Sequence, residues 1–296
     1  MSPTRSGWEL NLLAYNIWMR PGPFLDGQRQ RARALARGLR GHDVVVLCEA
    51  FDRRLCGPLL RDLAQDYPHQ TGVPGALSWP RPLGSGLRLW SSGVTILSRW
   101  PIVRTASRFF RGLLGFPDRH ADKGAVFAEI DKQGRRFGVM GAHSQADPEP
   151  LVRAAYRLVG RDADAAFARL RLAHFELMRR FARELALPTR CPLLFAGDLN
   201  VDMMHETGQF AAMLDRLGAA LPGLAVGELC TIDPSTNSLN TGPRRKWLDY
   251  VLWSRDHREP TTATLEARRV TADRPWRRHP LGRSHRDCSD HHAVVG

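Results

Sequence analysis

Short apolar runs recur along the chain, separated by clusters of glycine, proline and polar residues. "WELNLLAYNI", "VVVLCEA", "GVTILS", "GAVFAEI", "FGVMGAH", "PLLFAGDLN", "WLDYVLW" and "HHAVV" have the length and composition of strands, and several are apolar enough to be buried on both faces. Helical spacing falls between them. "LDGQRQRARALARGLRG" sets Leu35 and Leu39 on one face and stops at a glycine. "RRLCGPLLRDLAQDY" and "GQFAAMLDRLG" read as two further helices. The longest, "PLVRAAYRLVGRDADAAFARLRLAHFELMRRFARELAL", is predicted to break near Gly160 and restart at an aspartate cap.

The strands come in clusters, not in strict βαβ alternation, and "EIDKQGRRFGV" carries the turn residues of an antiparallel hairpin. This pattern predicts an α/β (α+β) chain built as a mixed two-sheet β-sandwich flanked by helices. No repeat, low-complexity tract or linker interrupts it, so residues 1–296 read as one domain.

Composition narrows the picture little. A hydrophobic fraction of 43% and a charged fraction of 25% are those of a folded globular chain. No stretch approaches the roughly 18 apolar residues of a membrane span. "MSPTRSGWEL" lacks the apolar segment of a secretory leader, so the protein is expected either to stay inside the cell or to begin after a removed leader. The net charge of +13 suits a polyanion or an anionic membrane surface. Arginine-rich base composition is the plain alternative. Five cysteines form no C-x-x-C pair and no zinc spacing; Cys48, Cys191 and Cys230 lie beside apolar runs as small hydrophobes.

The informative feature is where acids, amides and histidines fall. Asn16 and Glu49 sit near the ends of apolar strands, and "FGVMGAHSQAD" ends on His143. "PLLFAGDLNVD" ends on Asp198 and Asn200, "RKWLDYVLW" carries Asp249 inside a strand, and the tail supplies Asp290 and His291. A buried carboxylate such as Glu49 requires a cation or a metal. On strand ends of one sandwich, these residues are expected to meet at one rim.

The set Asn16, "Glu49-x-Phe", "Gly-x-His143", "Gly-Asp198-Leu-Asn200", "Leu-Asp249-Tyr" and "Ser289-Asp290-His291" resembles the endonuclease/exonuclease/phosphatase superfamily, of deoxyribonuclease I-like four-layer fold. "DYPHQT", "SGVTILSRWPI", "ADKGAVFAEI", "GAHSQAD" and "TIDPSTNSLN" are similar to the neutral, magnesium-dependent bacterial sphingomyelinases. That resemblance implies a phosphodiesterase of phospholipase C type that converts sphingomyelin to ceramide and phosphocholine.

It implies His291 as the base that activates water, oriented by Asp249, with Asp198 and Asn200 placing water and a phosphoryl oxygen. His143 would contact the phosphate or assist the leaving alkoxide, and Lys123 would contact the phosphate. Glu49 and Asn16, joined by Asp290, would hold Mg²⁺, with Mn²⁺ or Co²⁺ as substitutes; hard oxygen donors suit such ions. A peripheral contact with the lipid substrate's membrane follows, and Trp276, flanked by Arg274, Arg277 and Arg278, is its expected anchor. The resemblance also suggests a secreted monomer with no obligate protein partner.

The chain departs from some secreted members. "RGLLGFPDRHADKG" lacks their cysteine pair, Arg53 stands near a position where some bind a peripheral metal, and "LWSSGV" replaces an acidic pair. The central metal site is therefore expected and the peripheral one is not. Three alternatives stay open: a nuclease, favoured by the positive charge; another lipid or inositol phosphohydrolase; and a non-catalytic module docked on anionic membranes.

Overall fold

Among residues 8–20, 27–75, 90–224, 230–277 and 282–296, which the computed structural model describes, the strands form two large sheets and a separate hairpin. The first sheet runs, in spatial order, β10 (Gly223–Leu224), β12 (Thr264–Arg268), β15 (Ala293–Val295), β1 (Leu12–Met19), β2 (Val44–Ala50), β4 (Thr95–Ser98) and β3 (His69–Gln70). The second runs β5 (Ile102–Phe109), β6 (Gly124–Lys132), β7 (Arg135–His143), β8 (Leu193–Asp198), β11 (Asp249–Ser254) and β9 (Ala219–Ala220).

Period-two alternation builds the layers. Leu12, Ala14, Val44, Val46 and Cys48 join the core shared with Phe127, Val139 and Phe195 of the second sheet. Their neighbours Leu13, Tyr15, Val45 and Leu47 point the other way, onto α1 (Gln28–Gly38) and α2 (Arg53–Asp62). Against the second sheet lie α4 (Ala163–Glu184) and α5 (Thr207–Leu217), through Phe175, Met178 and Met213. Helix, sheet, sheet and helix make the four-layer arrangement expected from the sequence.

The long helical stretch is broken as predicted. A short helix, α3 (Pro150–Leu158), ends before Gly160, which adopts a φ of 66°, and α4 restarts where the Asp162 side chain accepts from the Asp164 and Ala165 amides. The hairpin "EIDKQGRRFGV" joins β6 to β7, with Asp131 opposite Arg136. All five cysteines are free, with Cys191 only half-buried. No helix among the described residues is long and apolar enough to cross a membrane.

Strand polarity gathers one set of ends. β1 and β2 are parallel, as are β7 and β8, which pair His143 with Asp198; β11 runs antiparallel to β8 with Asp249 opposite Asp198. β15 runs antiparallel to β1, so the residues just before Ala293 lie beside the Asn16 end. Asp249 opens its strand instead of sitting within it, and the two tail histidines precede theirs.

Two expectations about membrane loops change. Most of "WPRPLGSGLRLWSS" lies outside the described residues, as does Arg278. "ADRPWRRHPLGRSHRD" forms the antiparallel hairpin of β13 (Thr271–Arg277) and β14 (Ser284–Asp287). Trp276 is only 4% exposed on it, with its indole donating to the Asp287 carbonyl at 3.1 Å. A register shift in the hairpin between Thr271 and Trp276 is the reason: strict alternation would put Arg274 on the face of Ala272 and Trp276, yet those two are buried while Arg274 and Arg277 face solvent. The ring also fills the space over Gly27, where a Cβ would come within 2.2 Å of it. Trp276 is thus a core residue. Trp276→Ala should cost about 3 kcal/mol of stability in a urea melt and lower turnover of soluble and membrane substrates alike. A loss confined to vesicles would contradict that assignment.

Candidate active site

Local backbone features aim the rim residues. The β1–β2 register shifts between Asn16 and Met19, Trp18 has a φ of 52°, and its amide donates to Asn16 Oδ1 at 3.0 Å. Glu49 and Asn200 are also left-handed, at φ 57° and 54°. Such conformations are costly for non-glycine residues and persist where the surroundings hold them. Gly197, at φ 128°, lets β8 lie against β7: a Cβ there would meet the Ala142 carbonyl oxygen at 2.2 Å. That close approach sets Asp198 beside His143.

At the centre, Asn16 Nδ2 donates to Glu49 Oε1 at 3.2 Å and to Asp198 Oδ2 at 3.0 Å. His143 Nε2 stands 3.6 Å from the same Asp198 oxygen and 4.0 Å from Glu49 Oε1. His291 Nε2 approaches Asp198 Oδ2 at 3.8 Å, while its Nδ1 is bonded to Asp249 Oδ2 at 2.7 Å. Asn200 donates its amide to Asp198 Oδ1 and its side chain to the Ser144 carbonyl. Asp290 follows Ser289, with Oδ1 3.2 Å from the Ser289 hydroxyl oxygen, and its charge acts on Glu49. Every site residue expected from the sequence meets here except Trp276.

Lys123 is present in a different posture from the one expected. Its side chain is 3% exposed, and Nζ donates to Asp118 Oδ2 at 2.8 Å, His143 Nε2 at 3.1 Å and the Ser144 carbonyl at 3.1 Å. An ammonium has three protons, so all are committed. Lys123 here fixes the His143 ring; a phosphate contact would require giving up one of these bonds.

Burial and a cluster of neighbouring acids set the electrostatics of the site. Burial, then the nearby Asp290, pushes the Glu49 carboxyl above its usual range. Burial and Asp249 push Asp198 up to about 7. Burial, followed by Lys123, holds His143 well below an ordinary histidine. Burial opposes a charged His291 ring too, but the hydrogen-bonded Asp249, then Asp198 and Asp290, outweigh it and raise His291 well above the usual value.

Asp198, Asp249 and His291 offer ligand atoms that all lie within 4.8 Å of one another, a geometry able to hold a metal ion. Unpaired buried oxygens mark both this cluster and the Glu49 position beside it. Asp249 Oδ2 is taken by His291 Nδ1, but buried Asp249 Oδ1 and Glu49 Oε2 both have no hydrogen-bond partner among the described residues. An orphaned carboxylate oxygen close to a second acid fits a hard divalent cation. Asn16 presents Nδ2 to Glu49 and Asp198, while its Oδ1 accepts from the Trp18 amide, so it would join the ligands only with its amide turned.

A supporting layer escaped the sequence reading. Arg31, fully buried, donates to the carbonyls of Ile17, Trp18 and Cys288, tying the Asn16 strand end to the tail. The Ser289 hydroxyl donates to the Asn16 carbonyl at 2.6 Å, and Asn237 of "PSTNS" donates to the Ser289 carbonyl at 2.9 Å. Asp118 accepts from Lys123, Gln145 and the Ala146 amide. Nothing in local spacing marks Arg31 or Asp118; only the motif around Asn237 gave a signal.

Residues 13–291 match the Endonuclease/Exonuclease/phosphatase family. Sphingomyelinase C of Listeria ivanovii is 30% identical over 283 residues, 91% of this chain and 80% of that protein. A phospholipase C of Staphylococcus aureus is 29% identical over 303 residues, 97% and 86% of the two chains. Among solved structures, a beta toxin variant from Staphylococcus aureus with bound magnesium ions superposes at a TM-score of 0.84, with 25% identity over 97% of this chain and 99% of that one. Sphingomyelinase C from Streptomyces griseocarneus gives a TM-score of 0.83, with 28% identity over 97% and 98%. Fold, homology and the acid–histidine cluster together support a metal-dependent phosphodiesterase. With its motifs in order on two packed sheets and nearly its whole length matched, the chain belongs to the endonuclease/exonuclease/phosphatase family, as a homologue of the bacterial sphingomyelinases.

Proposed function

We propose that the protein is a Mg²⁺-dependent sphingomyelinase of phospholipase C type, releasing ceramide and phosphocholine by attack of water at phosphorus. The observation that most supports this reading is the buried Asp249–His291 pair, whose free Nε2 faces Asp198 beside the orphaned Glu49 oxygen. Relatives along most of the chain are sphingomyelinases C.

Nε2 of His291 takes the proton of the attacking water. Asp249 holds the opposite nitrogen protonated and stabilises the imidazolium that forms. Asp198 and Asn200 position the water and a phosphoryl oxygen, with the Asp198 carboxylate oriented by Asn16 and by the Asn200 amide. His143, kept neutral by burial, accepts from Lys123 at Nε2, and it would reach the phosphoryl group or the leaving alkoxide only on giving up that bond. Glu49 and Asp290 would hold the Mg²⁺, joined by Asn16 through Oδ1 once its amide is turned. When bound, the cation neutralises charge on the phosphodiester. The reaction takes place at a membrane, the protein acting as a monomer.

The test offers sphingomyelin vesicles, phosphatidylcholine vesicles and plasmid DNA in parallel, each with Mg²⁺ or with EDTA. Phosphocholine release from sphingomyelin, dependent on Mg²⁺, is expected. Intact sphingomyelin alongside nicked DNA would replace this reading with that of a nuclease.

A further inference from the structure

Six large apolar side chains are exposed among the described residues: Val103, Phe116, Leu151, Leu158, Val159 and Met204. Their placement is uneven. Phe116 lies between β5 and β6, Met204 follows the β8 end, and Leu151, Leu158 and Val159 belong to the α3 segment that follows β7. All but Val103 thus leave from the sheet edge that carries Lys123, His143, Asp198 and Asp249. α3 stands out because none of its residues is buried; Leu151 is 83% exposed, Leu158 88% and Val159 67%. At helical spacing Leu151, Ala155 and Leu158 share one face. Exposed apolar surface of this kind is normally kept for a contact.

Arginine lies round the helix from that face, towards α4. Arg153, Arg157 and Arg161 line a cleft of about 400 Å³ at the α3–α4 corner together with Asp162, whose side chain caps α4, and Asp164, which Arg153 neutralises. Arg153 is engaged twice over with Asp164, but Arg157 and Arg161 form no ion pair among the described residues. Tyr156 of α3 packs on Phe167, which also covers Gly115, next to Phe116, so the helix is seated on the loop that carries Asp118.

We propose that the apolar face of α3 and its arginine cleft form the surface by which this protein rests on a lipid bilayer. Leu151, Leu158 and Val159 enter the acyl boundary while Arg157 and Arg161 meet lipid phosphates, the arrangement of an interfacial amphipathic helix. Charge selects this occupant. A second copy docked face to face would oppose unpaired arginines to one another, whereas an anionic bilayer complements them and the net charge of +13. The inference rests on the sphingomyelin reading for its purpose, since it would hold the catalytic rim at the membrane.

Binding is therefore measured in EDTA, without turnover, by co-sedimentation with phosphatidylcholine vesicles containing phosphatidylserine. Leu151→Gln with Leu158→Gln should weaken vesicle partitioning on the order of tenfold or more while leaving the melting temperature unchanged. Val103→Gln, at the far end of β5, should change neither. Arg157→Gln with Arg161→Gln should lower binding to anionic vesicles and flatten its salt dependence. Undiminished partitioning of the leucine variant overturns the proposal, as does a wild-type dimer in analytical ultracentrifugation that the leucine variant abolishes. Because no hydrolysis is read, a failure of the sphingomyelin assay would leave these outcomes independent of it.

Discussion

His291→Ala should lower phosphodiester hydrolysis by about a thousandfold, within the range measured for loss of a general base. The ring is the one group whose outer nitrogen faces Asp198 while its inner nitrogen is locked to a buried carboxylate. The pH profile checks the role. A base must be unprotonated, and Asp249, Asp198 and Asp290 raise the pKa of His291 in the metal-free site. A bound cation opposes those acids and lowers it. Activity in saturating Mg²⁺ should therefore rise with pH through a single His291-dependent limb, and the alanine variant should lose that limb. It should also be less stable, because Asp249 is left buried with neither oxygen paired among the described residues. Mg²⁺-induced thermal stabilisation separates the two effects: a variant that still responds to the ion is folded at the site. Activity within tenfold of wild type would move the base elsewhere.

Glu49→Gln should produce the opposite pairing, a large loss of activity with a gain in metal-free stability. Glu49 brings an unpartnered buried oxygen into a cluster of acids, and its pKa is raised first by burial and then by Asp290. A carboxyl whose folded pKa lies above its unfolded value destabilises the native state as pH rises through that interval. Glutamine removes the charge, so in EDTA at pH 8 the variant should be the more stable, the gain vanishing at acid pH where Glu49 is already neutral. Asp198, raised from 3.8 to about 7, acts in the same sense in both proteins. With Mg²⁺ the order reverses. Wild-type thermal stabilisation by the ion should grow from pH 5 to pH 8 as the acids release their protons, and the variant should show little. Its turnover should fall at least about a hundredfold, several kcal/mol of charge stabilisation being lost. Equal Mg²⁺ shifts in the two proteins would place the ion at the Asp198–Asp249–His291 cluster instead.

The sequence made the layers legible because period-two and period-3.6 patterns are local, and the helix break at Gly160 is written in its own residues. The rim was legible for a different reason. Polar residues terminating apolar strands have few structural uses, and their order matched a known motif set from Asn16 to His291. What stayed hidden was contact between distant segments. Trp276 reads as an interfacial tryptophan among arginines, yet a bulged hairpin turns it onto Gly27 and the tail. Lys123 reads as a free cation, but Asp118 and His143 use it. Arg31 reads as one arginine of many in a basic helix, although it is fully buried and braces two strand ends.

The strand that follows His291 lies inside its sheet, between β1 and β12, and not at an edge. Pairing Leu13 with Val295 closes a loop of nearly the entire chain. Contacts of such sequence separation are slow to form, because the entropy of closure is lost before any pairing rewards it. The segment that completes the sandwich is also the one that delivers the base. In folding, then, chemistry arrives with closure: a chain whose other strands are already paired still lacks its proton acceptor, and phosphodiester cleavage should lag behind the appearance of secondary structure.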